Sequence, residues 1–263
     1  AAGVAVDGGE ADSFGSASDS GEAASFAEVA AAFDASALDL DYSKRDTDAS
    51  YDDASAVHIV LGGGSASVEG NGATVDGSTV TITAEASTWC RVRSTTGSWR
   101  WRRLRTRRCR SSSRARPSTT RDGPAVYVKQ ADKCFITLAD GTQNALTDGA
   151  EYVLEDGSER AVRHAVQPCR PHVNGTGALT VTSAYRHAVC SKDDLVITGG
   201  TYVVNAVEDA LRGRDCVKIA DGDFTLIAGG DGIKSNKDTK ATKGFVSIDG
   251  GTFVIEAGET ASM

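Results

Sequence analysis

One motif returns three times in the last third of this chain, and its spacing restricts the fold more than any other feature. Ile197-Thr-Gly-Gly-Thr201 aligns with Ile219-Ala-Asp-Gly-Asp223 at an offset of 22 residues, and again with Ile248-Asp-Gly-Gly-Thr252 after a further 29. The seven extra residues fall between Ser235 and Phe245. Upstream, His187-Ala-Val-Cys-Ser191, Asp209-Ala-Leu-Arg-Gly213 and Asp231-Gly-Ile-Lys-Ser235 keep the offset of 22, so the whole unit repeats. Each unit holds runs of strand-forming residues, such as Thr201-Tyr-Val-Val204, Phe224-Thr-Leu-Ile227 and Thr252-Phe-Val-Ile255, bounded by Gly and Asp. A unit this short cannot bury an apolar face alone and has to stack on its neighbours. The expected fold is therefore all-β, a right-handed parallel β-helix (β-solenoid) of about 22-residue coils. Tyr202, Phe224 and Phe253 occupy one repeat position, and an internal packing ladder is preferred for them over a sugar-stacking platform.

Ahead of the coils, residues 1–37 are rich in Ala, Gly, Ser, Asp and Glu, the composition of a disordered acidic spacer. A signal peptide or lipid-bearing cysteine before Ala1 would make that spacer a membrane tether. Residues 38–88 form an N-terminal β segment, with strands expected at Val57-His-Ile-Val-Leu61, Ala66-Ser-Val68 and Thr79-Val-Thr-Ile-Thr83. The carboxylates of 39–53 read as a solvated lead-in in preference to a calcium loop, because EF-hand spacing and its closing Glu are missing. No apolar run approaches the roughly 18 residues of a membrane span.

Residues 89–121 break the trend. Between Arg91 and Arg121 lie 12 of the 19 arginines, with no Asp or Glu. The chain carries 28 basic and 36 acidic residues, a net charge of −8, and without those arginines the balance would be 16 against 36, or −20. A nucleic-acid patch is the obvious reading, but no strand or helix period organises the arginines. With synonymous codons and a shift of two bases, the stretch back-translates to alternating strands with acidic turns. Residues 159–173 and the final residues recover the local repeat by the same operation. The arginine-rich stretch is thus read as out of frame, no nucleic-acid partner is expected, and residues 122–263 are assigned to the β-helix, short of its last coils. Cys134, Cys190 and Cys216 lack CxxC spacing and read as buried thiols; His58 and His187 fit no Ser/His/Asp or metal-ligand spacing.

Stacked coils bring equivalent residues about 4.8 Å apart. One column holds His187, Asp209 and Asp231, a second Cys190, Arg212 and Lys234, a third Lys192, Arg214 and Asn236. Asp209 and Asp231 are calcium candidates, since a hard dication relieves repulsion between stacked carboxylates; Asp193 and Asp215 form a second acidic pair. Equally, each Asp can pair with a neighbouring Lys or Arg and need no metal.

At Ala131-Asp-Lys-Cys-Phe-Ile-Thr-Leu-Ala-Asp-Gly-Thr-Gln-Asn-Ala-Leu-Thr-Asp-Gly149, Ser191-Lys-Asp-Asp-Leu195, Leu211-Arg-Gly-Arg-Asp215 and Gly229-Gly-Asp-Gly-Ile-Lys-Ser235, the sequence resembles the bacterial carbohydrate-binding parallel β-helix proteins with calcium sites, distant relatives of pectate lyases. The resemblance implies a monomeric secreted or surface-held protein that binds acidic polysaccharide, such as polygalacturonate, with Ca2+. Arg212, Arg214 and Lys234 are then the expected ligand-binding residues. The alternative is a calcium-dependent polysaccharide lyase, with Arg212, Arg214, Lys192 or Lys234 as the base. Binding is preferred because no cation is singled out as an unusually placed base.

Overall fold

The computed structural model describes residues 35–50, 133–148 and 170–258 without a break, together with the strand segments lying between 57 and 128 and over 164–167. It divides into two units, 1–38 and 39–263. In the first, a 3-10 turn at Ala35–Ala37 is described; the rest of the expected spacer lies outside the described residues.

The second unit is all-β and almost wholly parallel. From Pro117 onward, a strand pairs with the one three places further along, so the chain visits three sheets in turn, the pairing of a β-helix or solenoid. The first sheet ends in the short strands His187–Ser191, Leu211–Gly213 and Ile233–Lys234. The second contains Lys133–Leu138, Arg170–Gly175, Asp194–Ile197, Cys216–Ile219 and Phe245–Ile248. The third contains Gln143–Thr147, Ala178–Ser183, Thr201–Ala206, Asp223–Ala228 and Thr252–Ala257. Its registers reproduce the repeat: Thr201 faces Asp223, and Asp223 faces Thr252. Antiparallel pairs occur near the start, where Val57–Gly62 meets Ser65–Glu69 and Ala73–Asp76 meets Thr79–Ile82.

Alternation explains the core. In Thr201–Ala206 and Asp223–Ala228 every second side chain is buried, placing Tyr202, Val204, Phe224 and Leu226 inside. Tyr202 stacks on Phe224 at 4.8 Å between ring centroids, and Phe224 on Phe253 at 4.7 Å. The aromatic column is therefore an internal ladder, with geometry suited to offset stacking between flat rings. Each of these strands is entered through a glycine with positive φ: Gly200, Gly222 and Gly251. A Cβ on Gly222 would lie 2.9 Å from the carbonyl of Gly200, so the coils approach too closely there for any side chain. Cys134, Cys190 and Cys216 are free and buried, as their spacing implied.

The inner strands of the second sheet do not alternate. Cys216–Ile219 is buried at all four positions, and Leu195, Val196 and Ile197 are buried in sequence. The cause is a strap formed by residues 39–50, which covers the outer face. Its single helical turn, Lys44–Thr47, is opened by a capping box between Ser43 and Asp46. Lys218 points outward from its strand yet is only 6% exposed, because its Nζ donates to the carbonyls of Asp39 (3.1 Å) and Asp41 (2.7 Å) and lies over the ring of Tyr42. Asn174 Nδ2 donates to the carbonyls of Asp46 and Asp48, and Thr198 Oγ1 to that of Asp46. Asp46 Oδ1 lies 2.5 Å from His172 Nδ1 in a buried pair. The carboxylates of 39–53 are thus not merely a solvated lead-in: Asp46 is one of the most buried charges of the described chain. Residues 170–173, within the second stretch read as out of frame, form part of a strand in register with Lys133–Leu138. The side chains of 89–121, and with them the out-of-frame reading there, lie outside the described residues.

Burial alone would raise the Asp46 pKa, but the hydrogen bonds from His172 and Ser43 outweigh it and bring it to about 2. A folded-state value below the ordinary 3.8 means that this carboxylate stabilises the fold above pH ~4, and that its contribution fades as pH falls toward 2. Asp46→Asn is expected to cost about 2 kcal/mol at neutral pH, with the gap from the parent closing between pH 4 and 2. Urea unfolding across that range measures it; a gap independent of pH would contradict the strap's electrostatic anchoring.

Candidate functional site

With the second sheet covered, two flanks face solvent. The third sheet presents Thr201, Val203 and Asn205, then Asp223, Thr225 and Ile227, a flat face with little charge. The first sheet is different. Its strands are two to five residues long, so the corner turns on both sides lie close to its centre, and all of them carry charge.

Down the middle, Cys190 pairs with Arg212 and Arg212 with Lys234, as the column reading requires. On one side sits a network around Asp209, whose side chain is 5% exposed. Arg212 Nη1 donates to Asp209 Oδ2 at 3.1 Å, and the Asp231 amide donates to Asp209 Oδ1 at 3.1 Å. His187 completes it in one of two tautomers. With Nδ1 protonated, the ring donates to Asp209 Oδ2 (3.0 Å) and Nε2 accepts from Arg212 (2.6 Å). With Nε2 protonated, it donates to Glu208 Oε2 (3.2 Å) and Nδ1 accepts from the Asp209 amide (3.1 Å). Burial works to raise the Asp209 pKa; the hydrogen bonds from His187 and the Asp231 amide, with the nearby cations, prevail and hold it at about 2. Asp231 is exposed and bonded to Lys234. That bond raises the Lys234 pKa, so the ammonium is held in its charged form.

On the other side, the turns after each short strand stack in register: the Arg214 amide donates to the Ser191 carbonyl at 3.1 Å and the Asp215 amide to the Asp193 carbonyl at 3.0 Å. Lys192 and Arg214 therefore follow one another on successive coils, both exposed, with no carboxylate within ion-pair distance among the described residues. Asn236 takes the third step. Beneath them, buried Asp215 is bonded to Lys243 and lies 3.2 Å from Lys237, and Asp194 faces Arg170 and the Cys216 thiol. Lys237 and Lys243 belong to the seven extra residues, which is why matching columns by a fixed offset could not find them. Glu208 was also missed; it lies in a turn one residue before the repeat column.

Among the described residues, no group of three His, Cys, Asp or Glu side chains is placed to hold a metal ion. Calcium takes roughly six to eight oxygens. Asp209, Asp231 and Asp215 already face cationic or amide donors, and Asp193 contributes one half-buried carboxylate. As arranged, the four residues do not fit a calcium site; they fit a ladder of ion pairs.

Residues 117–262 match the model of a family described as carbohydrate-binding domain-containing protein. Among solved structures, a gadolinium derivative of the polysaccharide lyase-like protein from C. thermocellum is similar, at 29% identity and a TM-score of 0.70, over 77% of this chain and 82% of that one. No curated protein matches the chain.

A ladder and a shared metal predict different variants. In the ladder, Asp209→Asn is expected to cost about 2 kcal/mol, because it leaves buried donors and a cation without their partner, while exposed Asp231→Asn costs under about 1 kcal/mol. A shared calcium would make both substitutions costly and both responsive to added calcium. Thermal melts with calcium and with chelator separate the two.

Proposed function

The chain belongs to the carbohydrate-binding domain-containing protein family, and from that premise we propose that it binds an acidic polysaccharide, of the polygalacturonate kind, along the charged flank of its short strands. The observation that carries this reading is the pair Lys192 and Arg214: exposed cations in step on consecutive coils, with no carboxylate within ion-pair distance among the described residues. A polymer with a carboxylate on each sugar offers anions at regular intervals, and coils about 4.8 Å apart offer cations in the same manner. The Arg214 guanidinium can accept a carboxylate in a two-pronged bond, and Lys192 supplies a point charge beside it. Arg212 and Lys234 line the strip between the corners, where Asp209 and Asp231 hold them in place. Each contact to a solvated charge is weak, and repetition along one ligand chain supplies avidity. Outside the cell, on a right-handed solenoid acting as a monomer and held at the surface by the segment before residue 38, such a flank is a binding module.

The name of the C. thermocellum neighbour favours a second reading, a polysaccharide lyase. A lyase needs a base able to lose its proton near the working pH. Of the four candidate bases, Lys234 is held protonated by Asp231, Arg212 is committed to Asp209, and Lys192 and Arg214 stand on the exposed corner outside any buried network. Binding without cleavage is the better supported of the two.

Affinity electrophoresis through polygalacturonate tests the proposal. Lys192→Ala with Arg214→Ala is expected to weaken retention about tenfold, and retention of the parent is expected to fall with salt. Chelator is expected to leave it unchanged, and the absorbance of unsaturated uronate to stay flat. Retention that needs calcium would assign the bridging role to the metal, and a rising absorbance would make the protein a lyase.

A further inference from the structure

The seven-residue insertion sits where the flank's cation ladder takes its third step. Leu211 pairs with Ile233 at the usual offset of 22, but Cys216 pairs with Phe245 at 29, so the insertion lies between Lys234 and Phe245 and the strands resume pairing after it. Its foot is fixed. Lys237 and Lys243 both reach buried Asp215, and the Gly244 amide donates to the Asp215 carbonyl at 2.6 Å. Gly244 has φ +80, and a Cβ there would lie 2.1 Å from the Lys237 carbonyl, so the two ends of the loop are pressed together. Ser235 Oγ donates to the Arg214 carbonyl at 3.2 Å, which seats the start of the loop on the coil that carries Arg214. The Lys243 amide donates to the Lys240 carbonyl at 3.0 Å, closing the tip. Residues 238–242 are exposed, and Lys240 has no ion pair among the described residues.

We propose that the 235–244 loop is the specificity-determining end of the flank, and that Lys240 binds the next carboxylate of an oligouronate that runs past Lys192 and Arg214. The inference rests on the reading of the flank as a polyanion site. Two of the loop's lysines are spent on Asp215, which fixes the loop's foot and leaves Lys240 as the cation presented to a ligand. A chain lying along Lys192 and Arg214 meets the loop at the following step, so the loop sets how many sugars the site engages. A neutral glycan gains nothing from this arrangement, and a short uronate does not reach it.

The test is titration of the full chain with galacturonate oligomers of increasing length, starting from the dimer. Lys240→Ala is expected to weaken the longer oligomers about fivefold and to leave the dimer unchanged, Lys240→Arg to retain the parent's affinity, and deletion of residues 237–243 to reproduce the Lys240→Ala profile. Lys240 is exposed, so Lys240→Ala tests the inference even if the deletion variant fails to fold. If Lys240→Ala binds every length like the parent while Lys192→Ala and Arg214→Ala weaken binding, the loop inference fails and the flank stands. If none of these substitutions matters, the flank reading fails and takes the loop with it.

Discussion

Registration of backbone between successive coils governs this chain. No unit of about 22 residues can satisfy its own strand amides or cover its own apolar face, so each one exchanges amide–carbonyl bonds with the coils on both sides, the Arg214 amide donating back to Ser191 and the Ala188 amide forward to Asp209. Registration has two consequences that no single coil could produce. Inside, it puts Tyr202, Phe224 and Phe253 in face-to-face contact. Outside, it converts one residue per coil into a row, which is how Lys192 and Arg214, 22 positions apart in sequence, come to stand on consecutive coils of one flank.

Charge on the surface of such a stack is sorted by the same rule. Stacked carboxylates would repel, and the flank offsets this by placing donors beside them: Arg212 and His187 at Asp209, Lys234 at Asp231, Lys237 and Lys243 at Asp215. Buried Asp209 needs these donors because desolvation of an unpaired carboxylate is costly. With these acids matched, Lys192, Arg214 and Lys240 are the exposed cations of the flank without an ion pair among the described residues. The strap has a parallel role on another side. By engaging Lys218, Asn174 and His172, it covers the outer face of the second sheet.

Much of this was legible in the sequence because a repeat converts spacing into position. The three columns on the flank and the aromatic ladder follow from the offsets of 22 and 29, and the buried thiols from cysteines in or beside strands without CxxC spacing. The strap was not legible, since contacts such as Asp46 with His172 join residues 126 positions apart and carry no periodic signal; Ser43 followed by Asp46 was the available hint of a helical turn. Columns also give proximity without saying what fills the space between. The sequence left a metal and an ion-pair ladder equal for Asp209 and Asp231; in the structure Arg212 and an amide face one and Lys234 the other, contacts that a column of residue types does not specify.

If ligand lies on the cation ladder of the short-strand flank, lysine footprinting detects it without any substitution. Acetylation rates of individual lysines, measured by mass spectrometry with and without polygalacturonate, should fall at Lys192 and Lys240, while Lys218, buried beneath the strap, should remain slow in both. Saturated protein in which Lys192 is acetylated as fast as in the free chain would contradict the account and move the ligand to another face.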